Sequence, residues 1–463
     1  MNSVLGEVAK AVNGEITCGG PLIKIKNICL DSREVTEGSL FFAIKGERHD
    51  AHDFVVSALA GGAAAAVVSS EVALSPELGE RGLIRVLDTR LALQQLARWH
   101  RSRFQIPVMA VTGSVGKTTT KDLLALCLGA RFKTLKTRGN YNNEIGVPLT
   151  LLALDESYQA AVVEMAMRNR GEIRELAAIT CPTHAIITNV EPVHLENLGS
   201  LRNIAEAKCE VLEFIPENGL AFINGDDALL VETARKYQVK QILFGTGPDC
   251  SYRLAGVEVS REGTRIEASI RGQKVVFQIP VPGAHLAYNV VAAAGAALES
   301  GVSLEEIQCS LERFQPSERR LTIKTGSGGV TVIDDCYNAN PLSMQAALRV
   351  LGDIGQGAVR VAVLGDMYEL GEYEEPGHRE VGRMAAHLGI EHLITVGESA
   401  WYICEAAREE GMQEVYHFGD KQSALNYLQA ILESGMVVLF KASRGMHLEE
   451  MVEKVVTGGD DDG

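Results

Sequence analysis

The sequence predicts an α/β protein of three domains. These are a small α/β N-terminal domain, a central P-loop ATPase domain on a parallel sheet with a small antiparallel sheet, and a C-terminal Rossmann-like, doubly wound domain. Three observations lead there. An apolar run, Val108–Thr112, meets a turn with two glycines, and Lys117-Thr118 then opens a helical pattern with Leu123, Leu124 and Leu128 on one face. From Val330 to Val456, apolar strand-like runs alternate with helical patterns, and repeated βα units fold as a parallel, doubly wound sheet. The chain has 463 residues and 46 glycines, which exceeds a single core and suits many tight βα turns.

Charge and cysteines narrow the class. Lys and Arg total 44 against 60 Asp and Glu, a net charge of −16, so no nucleic-acid partner is expected. The nine cysteines are scattered without a CxxC pair; that pattern fits reduced thiols rather than a disulfide framework or zinc site. No basic segment leads an apolar core at the N-terminus, and no apolar run could span a bilayer. The chain is therefore expected to be cytoplasmic and without membrane insertion; a monomer is expected, although nothing in the sequence derives it.

The first unit, residues 1–105, opens with helical spacing at Val4, Val8, Ala11 and Val12, followed by short strands near Ile23–Ile28 and Ser39–Ile44. The block from Asp31-Ser32-Arg33 to Gly46 and His52-Asp53-Phe54 sets hydroxyls, cations and glycine turns around a strand. It reads either as an ordinary polar loop or as a holder for a sugar nucleotide. A small-residue helix and strand (Val55–Val68) and a helix from Leu91 to Phe104 complete the unit.

The second unit, 106–316, begins with the phosphate-loop pattern Thr112-Gly113-Ser114-Val115-Gly116-Lys117-Thr118-Thr119. Backbone N–H groups and a helix N-terminus would cradle a phosphate, Lys117 would reach the terminal phosphates, and Thr118 would sit on Mg²⁺. Val111 stands where the longer form of this motif has glycine, so the loop is a shortened variant. Asn140, Asn142 and Asn143 among Gly and Pro make a polar loop, either a turn or a ligand contact. Strand Ala160–Val163 leads to Glu164, and strand Ala185–Asn189 leads toward His194. Both groups lie at strand ends, where α/β sheets bind ligands, and together they suggest a second divalent cation. Lys208, amid Glu206, Glu210 and Glu213, reads from its neighbours as an ion-paired surface lysine. Tyr252–Val281 alternates apolar and polar residues with turns at Glu262-Gly263 and Arg271-Gly272, as a small antiparallel sheet would. An Ala-rich helix follows, whose Asn289 could meet a nucleotide base.

The third unit, 317–463, presents Asp334–Pro341, Gly365–Met367, Gly397-Glu398 and Lys441–Arg444 at strand ends. Their clustering on one sheet edge marks a ligand face.

Together these motifs resemble the Mur ligase family, ATP-dependent amide-bond ligases of bacterial cell-wall synthesis, over almost the whole chain. The central-domain signature is TGSVGKTT, EMA, NVEPVHLE and Ala207-Lys208. GNYNNEIGVPLTLL, PGAHLAYNVVAA, IDDCYNANPLSM, VLGDMYELG and KASRGM resemble the branch that adds D-alanyl-D-alanine, and DSREVTEGSLFFAIKGERHDAHDF resembles its UDP-binding domain. Ala166 and Ala442 stand where relatives often have glycine. The resemblance implies an ATP- and Mg²⁺-dependent ligase joining D-alanyl-D-alanine to UDP-N-acetylmuramoyl-tripeptide through an acyl phosphate. It assigns ATP to Thr112–Thr119, Asn289, Arg320 and Asp335, and metal to Thr118, Glu164, His194 and a carbamylated Lys208. Lys117, Lys208 and His194 would be catalytic. Ser32, Arg33, Gly46 and His52 would hold UDP, Asn142 and Asn143 the muramyl peptide, and Tyr337, Asn338, Ser443 and Arg444 the incoming dipeptide. Two rivals are a related ligase with another amine substrate and a P-loop switch that forms no bond.

Overall fold

The computed structural model describes residues 1, 3–46, 49–192 and 195–458. Among them no helix is long and apolar enough to cross a membrane.

The first sheet has parallel strands Asn27–Cys29, Ser39–Phe42, Ala65–Val68 and Gly82–Arg85, with Glu15–Cys18 antiparallel at one edge. Ser39–Phe42 and Ala65–Val68 are buried at every residue, as expected of parallel strands covered on both faces. Helix Thr89–Arg101 starts at Asp88, whose carboxylate accepts from the Arg90 and Leu91 N–H groups. An acidic N-cap of this kind satisfies donors the helix leaves open. The helix turns Leu93, Leu96 and Ala97 inward against helices Gly146–Leu152 and Glu172–Thr180 of the next domain. One apolar core therefore joins the first two domains. Arg101 reinforces the junction by donating to the Thr180 carbonyl at 3.1 Å.

The central sheet has nine strands. Six are parallel, in the spatial order Lys240–Gly245, Leu220–Asn224, His184–Ile187, Val108–Thr112, Ala160–Glu164, Thr134–Lys136. The expected antiparallel strands exist as Tyr252–Ser260, Gly263–Ile270 and Gln273–Ile279, but they do not form a sheet of their own. Phe244 and Gly245 pair in parallel with Tyr252 and Arg253, so the meander continues the main sheet. The physical gain is a covered edge, since Lys240–Gly245 would otherwise present unpaired backbone groups. Helix Lys117–Gly129 packs on the Ala-rich helix Leu286–Glu299, with Leu123, Leu124 and Leu128 buried.

The C-terminal sheet is ordered Thr322–Thr325, Thr331–Asp334, Val437–Lys441, Arg360–Gly365, His392–Val396, Val415–Phe418. All but the first strand are parallel. That first strand was not expected: it is short and half-exposed, and it is held by a turn in which the Gly326 N–H donates to the Val330 carbonyl at 2.7 Å. The helices fall where the alternation puts them, including Pro341–Ile354, with Asn340 as N-cap and proline in the first turn. The two cores of this sheet draw only on Leu321 and residues beyond it. The strand ends of the central and C-terminal sheets face each other across one cleft of about 1750 Å³.

Candidate active site

The phosphate loop forms because strand Val108–Thr112 must turn into a helix within a few residues. Gly113 and Gly116 take backbone angles closed to other residues (φ 145° and 83°). A Cβ on Gly113 would lie 1.9 Å from Thr188 Oγ1, and one on Gly116 would lie 2.7 Å from Asn289 Oδ1. The neighbouring strand end braces the loop. Asn189 accepts from the Ser114 N–H through its carbonyl at 3.0 Å and from the Val115 N–H through its side chain at 2.9 Å. Thr188 Oγ1 donates to the Val115 carbonyl at 2.6 Å, and Ser114 exchanges hydrogen bonds with the Glu191 backbone. Lys117 Nζ is centred over the loop by the carbonyls of Gly113 and Ser114, at 2.9 and 3.0 Å. Burial pushes its pKa down; Glu164 opposes that shift and Arg320 adds to it.

Glu164 ends its strand directly beside this loop and is buried. Its Oε1 accepts from Thr118 Oγ1 at 3.1 Å and from Asn142 Nδ2 at 2.8 Å. Oε2 is buried without a hydrogen bond. An orphaned carboxylate oxygen beside a threonine hydroxyl and a phosphate loop suits a hard, oxygen-seeking cation. No cluster of three or more His, Cys, Asp or Glu surrounds it among the described residues, so any such ion would depend on hydroxyl, phosphate and water oxygens as well. His194 lies outside the described residues. Asn143, in the loop before helix Gly146–Leu152, accepts from the Gly146 N–H at 2.9 Å.

Lys208 corrects its residue-level reading. It is 2% exposed and makes no hydrogen bond or ion pair with any described residue. Burial, and then the charge of Lys117, hold its pKa well below the usual lysine range. Burial of this kind is not that of a surface cation. The Asn289 amide sits against Gly116 of the loop, on the cleft wall.

The opposite wall belongs to the C-terminal domain. The Arg320 guanidinium lies 4.0 Å over the Tyr337 ring, with Arg444 5.8 Å from the same ring. Asp335 accepts from the Leu321 N–H at 3.1 Å and from Lys441 Nζ at 2.6 Å. Burial raises the Asp335 pKa against the pull of Lys441 and Arg320. Ser443 Oγ accepts from the Tyr368 N–H at 2.8 Å, and the Asn338 carbonyl accepts from Lys441. Arg319 and Leu321, on either side of Arg320, both have left-handed backbone (φ 60° and 54°), a strain of about 1–2 kcal/mol each.

Four expected ligand residues lie elsewhere, on turns and loops of the N-terminal domain. Ser32 and Arg33 form a single turn in which Arg33 pairs with Asp31 at 2.6 Å. Gly46 donates its N–H to the His49 carbonyl. His52 Nε2 accepts from the Ser69 N–H at 2.9 Å, so its Nδ1 proton goes to Asp50 at 2.6 Å.

Lys441, Thr188 and Asn189 escaped the sequence assignment. Each stands at a strand end on the ligand face, and that position was the signal available.

A strand-borne Gly-Lys-Thr loop, set against a second domain's strand ends, defines a nucleotide-binding P-loop enzyme whose site has two walls. The comparisons agree. The Mur ligase family catalytic domain matches residues 24–101, the Mur ligase middle domain 111–297, and the Mur ligase glutamate ligase domain 319–444. A UDP-N-acetylmuramoyl-tripeptide–D-alanyl-D-alanine ligase of Bacillus subtilis is 38% identical over 93% of each chain. Its Escherichia coli counterpart is 35% identical over 98% of each. A MurF crystal structure from Acinetobacter baumannii superposes with a TM-score of 0.89 at 34% identity, covering 99% of each chain. A MurF structure from Thermotoga maritima in complex with ADP gives 0.83 at 28% identity, covering 95% of this chain and 99% of that one. The chain belongs to the Mur ligase family.

Proposed function

We propose that this protein is an ATP-dependent ligase that joins D-alanyl-D-alanine to UDP-N-acetylmuramoyl-tripeptide in peptidoglycan precursor synthesis. The observation that carries this is the pairing of the phosphate loop with the buried, half-satisfied carboxylate of Glu164, across the cleft from Arg320, Tyr337 and Arg444. The names of relatives matching over more than nine-tenths of the chain support the choice of substrates.

A carboxylate is a poor electrophile, so it is first phosphorylated; the amine then attacks the acyl phosphate and phosphate leaves. Both reactants of the first step are anions. Lys117 and the loop amides stabilise the transferring phosphoryl group, and Arg320 adds positive charge from the other wall. Mg²⁺ would be held by Thr118, Glu164, His194 and Lys208 as its carbamate, and would supply charge neutralisation. Asn142 orients Glu164. Asp335 and Lys441 fix the linker and Asn338 on the amine side, where Tyr337, Asn338, Ser443 and Arg444 meet the dipeptide. Ser32, Arg33, Gly46 and His52 hold UDP. We assign 1–105 to the UDP sugar, 106–316 to ATP and 317–463 to the amine, in a monomeric, cytoplasmic protein.

The deciding assay is ADP release with UDP-N-acetylmuramoyl-tripeptide. D-Alanyl-D-alanine should stimulate it and single amino acids should not. ADP release independent of any amine would favour the P-loop switch.

A further inference from the structure

The linker into the C-terminal domain touches the phosphate-loop helix at a buried carboxylate. Asp122, on helix Lys117–Gly129, is 6% exposed. Its Oδ2 accepts a 2.6 Å hydrogen bond from the Ser317 hydroxyl. Its Oδ1 accepts from Lys136 Nζ at 2.7 Å and lies 3.3 Å from Lys121 Nζ. Lys121 is 2% exposed, donates to the Thr137 carbonyl at 3.1 Å and lies 3.9 Å from Glu164 Oε2. Thr137 Oγ1 accepts from the Glu164 N–H at 2.9 Å. A continuous set of contacts thus runs from the linker to the carboxylate beside Thr118.

The other end of the linker is equally constrained. The Arg320 N–H donates to the Ser317 carbonyl at 3.2 Å, and Arg320 sits between two residues of left-handed backbone. A turn this tight gives Arg320 little freedom to swing on its own, so whatever holds Ser317 aims Arg320. A buried aspartate between two lysines loses hydration and is poor evidence for stability alone. Geometry is the better account of it.

We propose that Asp122 and Ser317 are positioning residues: their hydrogen bond sets the interdomain linker so that Arg320 meets the phosphate loop, while Lys121 ties the same carboxylate to Glu164. Neither touches reacting atoms. The proposal rests on nucleotide binding at the loop and not on the identity of the amine.

Ser317→Ala removes the hydroxyl at a half-buried linker site, and Ser317→Thr keeps it. Hydrogen exchange of amides 317–321 is compared with and without ADP, beside steady-state ADP formation. In Ser317→Ala, ADP-induced protection of that stretch should be lost and kcat should fall about tenfold. The KM for the UDP-linked carboxylate should be unchanged, and Ser317→Thr should recover both readouts. Wild-type protection in Ser317→Ala overturns the proposal whatever kcat does, as does a loss that Ser317→Thr fails to recover. If no amine supports turnover in the wild type, the ligase assignment falls, yet the exchange experiment needs only ADP and still decides this point.

Discussion

Lys208 is the residue whose chemistry changes most between its sequence neighbours and its surroundings. Its amine is buried, unpaired among the described residues and pressed by the charge of Lys117, which supports the proposed reaction with CO₂. The carbamate would convert a costly buried base into an anion useful to a metal. Lys208→Ala should therefore lose at least about 10–100-fold in activity, since losing even a group that only orients a metal ligand costs that much. Small carboxylates added to the assay should restore part of it, and an unrescued variant would argue against an anionic role. His285 gives a prediction in pH. Burial, aided by Lys441, takes its pKa from 6.5 down to about 4. The unfolded chain therefore takes up this proton first as the pH falls. Stability from this group is complete above about pH 6.5 and declines toward pH 4, by at most about 1.4 kcal/mol per pH unit. Urea midpoints at pH 7, 6 and 5 should fall less steeply in His285→Gln than in the wild type.

The phosphate loop shows what an element can reveal before any coordinates exist. Strand, glycines, lysine and threonine announce it in order, because the backbone geometry admits few other residues. Gly113 is the most demanding of these. An alanine there would drive its Cβ into Thr188 Oγ1, the hydroxyl that braces Val115. Gly113→Ala should weaken ADP binding at least tenfold by calorimetry, since strain of about 1.4 kcal/mol suffices for that; unchanged affinity would mean the brace is dispensable. The βα alternation after residue 330 was equally legible, since its periodicity is local. What stayed hidden was non-local. Nothing in Tyr252–Ser260 announces that two residue pairs join it to Phe244 and Gly245. Thr322–Thr325 has too few apolar residues to stand out. Lys208 looked ion-paired because its neighbours along the helix are acidic, while burial depends on what packs over it. Lys441 was visible only as part of a strand-end cluster until Asp335 came within 2.6 Å of it.

At the scale of the whole molecule, the two interdomain junctions differ in kind. Helix Thr89–Arg101 shares one core with the central domain, but the cores beyond Leu321 stand apart. The fragment 317–458 should therefore fold by itself and unfold cooperatively in urea. The fragment 1–105 should aggregate, because Leu93, Leu96 and Ala97 would be left in water; burying a Leu-sized side chain is worth about 1.5–3 kcal/mol. Circular dichroism melts and light scattering of the two fragments check this. That contrast has a bearing on descent. One wall of the cleft is structurally a cassette with apolar cores of its own, tied to the phosphate-loop helix by the Ser317–Asp122 hydrogen bond. A lineage could thus exchange its last third of chain only for one that again brings a cation such as Arg320 to the phosphate loop.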